Sequence, residues 1–314
     1  MNLSEYFKEA INPSKGPEML ILEVSTRCQL RCPLCLNGRG MLGERANKYL
    51  TQHDFLYIWE QFEPSCKYVL LEGAGEAFLN PEIYGILQYL RHIRTYMDTN
   101  GQMLDPEAVV LSGLKELVFS IDGYDQESYE RYRVGGSYRK AIDNMKAVLK
   151  TKERMQVATP EVKWKSIMFS HLEEQGAVLA YQADEIGVIV EFAQPNIVPK
   201  YGREQWERFQ PLRPMWRRIK DIDWEQHWVR PVKDFSHCIL PIIGPYVAVN
   251  GNLSPCCAID PDEFEPRMNL FEQDLKDIWW STELADFRRR VLVDRFQEEQ
   301  CKMCSVNLPE VDDG

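Results

Sequence analysis

From about residue 18 to residue 196 short apolar runs alternate with longer segments of helical spacing, and this alternation constrains the fold most. Residues 18–25, "CKYVLLEG" at 66–73, "TYMDTNG", "KELVFSIDG", "EVKWKSIMF" and "VIVEFAQPN" read as strands, rich in β-branched and aromatic residues. Between them, "TQHDFLYIWEQF" with Thr51 as N-cap, "NPEIYGILQYLRHIR" with Asn80 as N-cap and Pro81 in the first turn, "PEAVVLSGL", "YRKAIDNMKAVLKTKERM" and "EEQGAVLAYQADEIG" read as helices. Strand–helix alternation of this kind predicts an α/β protein with a parallel sheet under covering helices. Six such units predict a partial (β/α)6 barrel, in which functional residues gather at the C-terminal ends of the strands.

Four motif-like stretches fall on that predicted rim. Cys28, Cys32 and Cys35 form C-x3-C-x2-C just after the first strand; "EGAGE" follows the second, "TNG" the third and "SIDG" the fourth. Three thiols in eight residues without a fourth suit an Fe–S cluster with one iron free of protein ligand. A structural zinc site would want four ligands; His92 or His171 could add one, but nothing in their spacing calls for it.

Residues 197–235 break the rhythm and hold Trp206, Trp216, Trp224 and Trp228 with several prolines. They read as a connection packed over the barrel, its aromatics expected in the core, with stacking on a ring substrate as the alternative. A further unit begins near 236, where Asn250-Gly251 marks a hairpin and "TELADFRRRVLVDRF" a helix. The expected division is 1–196, 197–235 and 236–314.

The 314 residues are 44% hydrophobic, enough for a sizeable core. Against 37 Lys and Arg stand 48 Asp and Glu, a net charge of −11, which disfavours nucleic-acid and anionic-membrane partners. No apolar signal region opens the chain and no run approaches ~18 apolar residues, so a soluble cytoplasmic protein is expected. Nine cysteines in a reducing compartment point to metal binding or catalysis rather than disulfides.

The cysteine loop and the rim stretches together resemble the radical S-adenosylmethionine (radical SAM) superfamily. The resemblance implies that Cys28, Cys32 and Cys35 hold a [4Fe–4S] cluster whose open iron binds the amino and carboxylate groups of S-adenosylmethionine. Gly73, Gly75 and Glu76 fit the loop that receives the methionine amino group, with Ala77 where a proline is often found. Ser120 is a candidate for the cofactor's polar parts, and Arg133 for its carboxylate or, alternatively, for a solvated helix charge. Cys238, Cys256, Cys301 and Cys304 resemble the auxiliary-cluster region called SPASM, or its shortened form, twitch. No cysteine follows Cys304, so one auxiliary [4Fe–4S] cluster is implied, zinc being the alternative. Cys257 reads as a small buried residue or as a hydrogen-atom donor, and Cys66 as structural. Glu191 and Asn196 fall near the rim by position.

Such an enzyme cleaves S-adenosylmethionine reductively, and the 5′-deoxyadenosyl radical takes a hydrogen atom from substrate. A flavodoxin or ferredoxin would supply electrons. Oxidation or epimerisation at a carbinol carbon of a sugar, aminocyclitol or aminoglycoside-like molecule is expected; modification of a peptide or protein is the alternative. A non-enzymatic interaction protein would not need the rim loops.

Overall fold

The computed structural model describes residues 8–195, 202–217, 219–225, 228–231, 238–302 and 304. Six parallel strands follow chain order: β1 (Met19–Leu22), β2 (Tyr68–Leu71), β3 (Arg94–Thr99), β4 (Glu116–Ser120), β5 (Glu161–Ile167) and β6 (Ile189–Ala193). One face of each strand is apolar. Leu20, Leu22, Val69, Leu71, Met97, Phe119 and Trp164 are buried with Phe55, Ile58, Ile86, Met145 and Val148 of the covering helices. The alternate positions, such as Tyr96, Asp98, Lys163 and Lys165, are only partly buried and face the barrel interior.

Thr51 caps the helix Gln52–Phe62 as expected, its side chain accepting from the Asp54 amide at 3.1 Å. Asn80 is not the N-cap residue. The next helix is Ile83–Tyr89 with Glu82 at its N-cap; Asn80 Oδ1 accepts from the Glu82 amide at 2.9 Å, and its Nδ2 donates to the carbonyls of Val24 and Leu50, both at 2.9 Å. It thus ties the loop after β2 to the segment after β1. A short helix, Gln126–Glu130, escaped the periodicity because its signal is local: Asp125 and Ser128 form a reciprocal cap.

After β6 come the helix Arg203–Phe209 and an antiparallel pair, β7 (Ile219–Asp223) with β8 (Trp228–Pro231). Trp206 packs against the apolar cluster beneath the cysteine loop, and Trp216 stands edge-on to Phe192 at 5.9 Å. Asn196 and the Trp228 side chain lie outside the described residues.

The Asn250-Gly251 turn joins β9 (Tyr246–Val247) to β10 (Asn252–Ser254), with Gly251 at φ +81°. β10 pairs with β11 (Met268–Asn269). β9 also pairs in parallel with β1, Ile21 opposite Tyr246, so hairpin and barrel share one nine-stranded sheet. The helix Thr282–Asp294 follows, near the predicted span. Among the described residues no helix is long and apolar enough to cross a membrane.

Candidate active site

The rim loops enclose a cavity of about 800 Å³. Ten of the residues singled out from sequence line it: Cys28, Cys32, Cys35, Gly73, Gly75, Glu76, Ser120, Arg133, Cys257 and Cys304. Cys238, Cys256 and Cys301 are buried behind its wall.

The cysteine loop is shaped by polar ties near its ends. Thr26 Oγ1 donates to the Arg45 carbonyl at 2.7 Å, and Asn37 donates to the Thr26 carbonyl at 2.6 Å. Beneath lie Leu30, Leu34, Tyr132, Phe169 and Phe209, a dry apolar floor. Cys28, Cys32 and Cys35 lie close enough for Cys32 to feel the charge of both others, and Asn100 Nδ2 sits 3.7 Å from Cys28 Sγ. Burial raises the Cys28 and Cys32 thiols, the latter to about 12, so metal binding there must release protons.

The glycines serve a purpose that the residue pattern did not disclose. A Cβ at Gly73 would lie 2.5 Å from Glu23 Cγ, and one at Gly75 only 2.2 Å from the Ser25 carbonyl oxygen. They let the loop after β2 pack against the loop after β1. Glu76 is fully buried. It accepts from Thr99 Oγ1 at 2.8 Å and from the Asn100 and Phe78 amides at 2.7 and 3.3 Å, while burial pushes its carboxyl up to about 7. Its carboxylate therefore knits the second rim loop to the third.

Arg133 is not a solvated helix charge. Its Nε meets Asp122 Oδ2 at 2.5 Å, and Asp122 Oδ1 accepts from the Ile167 amide at 2.6 Å. Asp122 is wholly buried and sits inside the "SIDG" stretch, so the motif held its signal although the residue was passed over.

At the other wall, Cys238 is fixed by its amide donating to Val291 and Cys301 by its amide donating to Glu298, at 3.1 and 3.0 Å. Burial raises the Cys238 and Cys301 thiols, Cys301 to about 12, and buried Arg295 opposes both shifts. Arg295 Nη1 stands 3.9 Å from Cys304 Sγ, a buried cation beside thiols that would carry negative charge when metallated. Among the described residues no three Cys, His, Asp or Glu side chains close on a single ion. Donor sets made of thiols alone, three at the first site and four at the auxiliary one, suit [4Fe–4S] clusters with each thiolate on its own iron. The donors thus fit one such cluster at each site.

Cys256 is 6% exposed and lies among the auxiliary thiols, whereas Cys257 opens onto the cavity. Burial among polar neighbours still pushes the Cys257 thiol up to about 12, with the nearby Glu72 carboxylate adding to it. The reading of Cys257 as a residue packed in the core is therefore set aside. Cys66 is buried at the foot of β2, its Sγ 3.1 Å from the Tyr68 carbonyl, as expected of a structural thiol. Glu191 does not reach the rim; it pairs with Lys163 at 3.1 Å, lower in the barrel. His92 faces Glu63 at 3.6 Å on the surface.

Sequence reasoning missed a buried ionic node. Glu23, just past β1, accepts from Tyr246 OH at 2.8 Å and the Ala74 amide at 3.1 Å, and lies 3.4 Å from Arg45 Nε. Arg45 in turn reaches Asp260 at 3.3 Å and Asp262 at 3.6 Å. It links the cysteine loop to the segment that carries Cys257.

The radical SAM superfamily profile matches residues 22–157, and that of SPASM, an iron–sulfur cluster-binding domain, matches residues 238–305. GTP 3′,8-cyclase of Petrotoga mobilis is 27% identical over 139 residues, 42% of this chain and 43% of the relative. The chain thus spans less than half the length of that curated relative. Streptococcus suis SuiB bound to precursor peptide SuiA superposes at a TM-score of 0.67 with 18% identity, covering 96% of this chain and 73% of that one. BtrN in complex with AdoMet and 2-DOIA superposes at 0.55 with 17% identity, covering 92% and 93%. At these identities the solved structures speak for the fold. The chain belongs to the radical SAM superfamily, with a C-terminal SPASM-type domain, and uses S-adenosylmethionine, a [4Fe–4S] cluster that binds it and an auxiliary cluster.

Proposed function

We propose that this radical SAM enzyme acts on a small polar molecule, sugar- or aminocyclitol-like, and inverts a carbinol carbon, with Cys257 as its second hydrogen-atom donor. One observation carries the reading: Cys257 lies on the wall of the same cavity as Cys28, Cys32 and Cys35, while its neighbour Cys256 turns inward. A cavity of about 800 Å³ suits a cofactor together with a small substrate. Cys28, Cys32 and Cys35 would hold the first cluster, and Cys238, Cys256, Cys301 and Cys304 the auxiliary one. Gly73, Gly75, Glu76, Ser120 and Arg133 would shape the cofactor's berth, Glu76 and Arg133 chiefly by fixing the rim loops. Bound there, S-adenosylmethionine and its cluster supply a 5′-deoxyadenosyl radical that removes one hydrogen atom from substrate.

The Cys257 S–H bond then breaks and a C–H bond forms on the opposite face of the substrate carbon. One electron from a flavodoxin- or ferredoxin-type reductant and one proton restore the thiol. Oxidation is the competing outcome, in which the substrate radical would lose its second electron to the auxiliary cluster and a base would take the hydroxyl proton. The test is turnover of a sugar and aminocyclitol panel in deuterium oxide by the anaerobically reconstituted enzyme. Inversion should place solvent deuterium at the inverted carbon through the exchangeable thiol. Cys257→Ala should abolish inversion yet still form 5′-deoxyadenosine. Unimpaired product formation by Cys257→Ala would assign oxidation instead. The likeness to SuiB solved with a precursor peptide favours the second reading, peptide modification. It gains if only peptides raise cofactor cleavage above background.

A further inference from the structure

We infer that Glu72 and Asp98 form a recognition site for a positively charged amino group on the substrate. This rests on the small-molecule reading above and narrows it to amine-bearing molecules. Glu72 directly follows β2 and Asp98 lies on the neighbouring strand β3, and both line the cavity. Strand alternation carries them to the barrel interior, since Val69 and Met97, an odd number of residues away on the same strands, are buried against the covering helices.

Their surroundings differ in a way that leaves a charge unmatched. Asp98 Oδ1 accepts from Tyr96 OH at 3.0 Å, and its other oxygen is bound by Lys165, whose Nζ lies 3.3 Å from Tyr96 OH. Among the described residues no donor meets the Glu72 carboxylate at hydrogen-bonding distance. Two carboxylates therefore share one lysine, and Lys165 is not part of the cavity wall. Among the described residues the cations that line the wall, Arg45 and Arg133, are engaged by Glu23, Asp260 and Asp122. Glu263 and Glu299 line the cavity as well. A poorly solvated carboxylate without a donor is costly until a cation or proton meets it. Burial and the neighbouring Asp98 accordingly raise the Glu72 carboxyl to about 7.

An ammonium group fits between the two carboxylates: it completes the charge balance and donates to both. Glu72 also lies near enough to Cys257 for its charge to be felt there. An amine held by Glu72 would set the carbon skeleton beside that thiol. A carboxylate- or phosphate-bearing substrate would be repelled from this end of the cavity.

The test uses 2-deoxystreptamine, a diamine, and its neutral di-N-acetyl derivative as probes. Binding to the anaerobically reconstituted enzyme, with S-adenosylmethionine present, is measured by calorimetry at pH 8. The diamine should bind at least tenfold more tightly than the neutral probe. Glu72→Gln, close in shape to the native residue, should remove that preference while leaving affinity for the neutral probe and the iron content unchanged. Equal affinity for the two probes in the native enzyme would overturn the inference, as would a preference that survives Glu72→Gln. A retained amine preference with no Cys257-dependent inversion would refute the proposed reaction and leave the recognition site standing.

Discussion

Arg45→Met tests whether the Glu23–Arg45–Asp260 node holds the cysteine loop to the auxiliary segment. Methionine keeps much of the apolar stem and removes the charge. Arg45 is 2% exposed and Glu23 0%, at 3.4 Å, so their attraction is about 5 kcal/mol at an effective dielectric constant of about 20. Asp262 is a third exposed and adds little after screening. Removing the cation strands Glu23, a loss of about 3–5 kcal/mol. With the entropy of unfolding usual for a chain of this length, that lowers Tm by roughly 4–8 °C. Burial already raises the Glu23 carboxyl against the pull of Arg45, and losing Arg45 raises it further. The folded variant then holds a proton that the unfolded chain releases above its ordinary carboxylate range. Its stability accordingly rises as pH falls from 8 to 5, and the deficit against the native protein shrinks. The assay is anaerobic thermal unfolding of Arg45→Met, Glu23→Gln and the double variant at both pH values. The double variant should be less damaged than the sum of the singles by about 2 kcal/mol. A loss that is additive with Glu23→Gln and independent of pH would refute the reasoning.

Two further outcomes are expected. Gly75→Ala would place a Cβ 2.2 Å from the Ser25 carbonyl and 2.8 Å from that of Arg27, both backbone atoms that yield only by moving the loop ahead of Cys28. Iron per chain, measured after reconstitution, should fall from roughly eight toward roughly four, as one of two [4Fe–4S] clusters is lost; unchanged iron would show that the loop tolerates the shift. The Glu72 carboxyl, raised to about 7 and faced by Asp98, Tyr96, Lys165 and Cys257, favours the substrate-free fold fully below about 4.5, and that contribution is lost as pH rises through about 7. Glu72→Gln should therefore stabilise the free enzyme at pH 8 relative to the native protein and have little effect at pH 4.5, a difference that a pair of melting curves would expose.

Much of this was legible because it is local. The C-x3-C-x2-C spacing, the Thr51 cap, the Asn250-Gly251 turn and the strand–helix alternation each declare themselves within a dozen residues. What stayed hidden depends on partners far along the chain. Glu23 reads as the end of an apolar strand until Tyr246 and Arg45 arrive beside it. Glu72, Asp98 and Lys165 read as polar strand residues, and only closure of the barrel turns them toward one another. Asn80 has the sequence signature of a cap, and its oxygen does accept from the Glu82 amide; its NH2 group meanwhile satisfies two buried carbonyls 56 and 30 residues back along the chain, a role no local pattern shows.

The Cys256–Cys257 doublet shows how one turn can divide two adjacent thiols between two sites. Ser254 ends β10, and its hydroxyl lies 2.9 Å from the Cys256 carbonyl and 3.0 Å from that of Ile259, within donating distance of both. The chain is thereby folded tightly just where the pair occurs. Cys256 joins Cys301 in the interior, and Cys257 is left on the cavity side, near Glu72. That outcome requires the hairpin to stand beside β1, which the parallel pairing of Ile21 with Tyr246 and of Leu22 with Val247 provides. Because β9 extends the barrel sheet, the auxiliary segment becomes a wall of the cavity. The same hydrogen bonds that continue the sheet thus bring Cys257 into reach of whatever the rim loops hold.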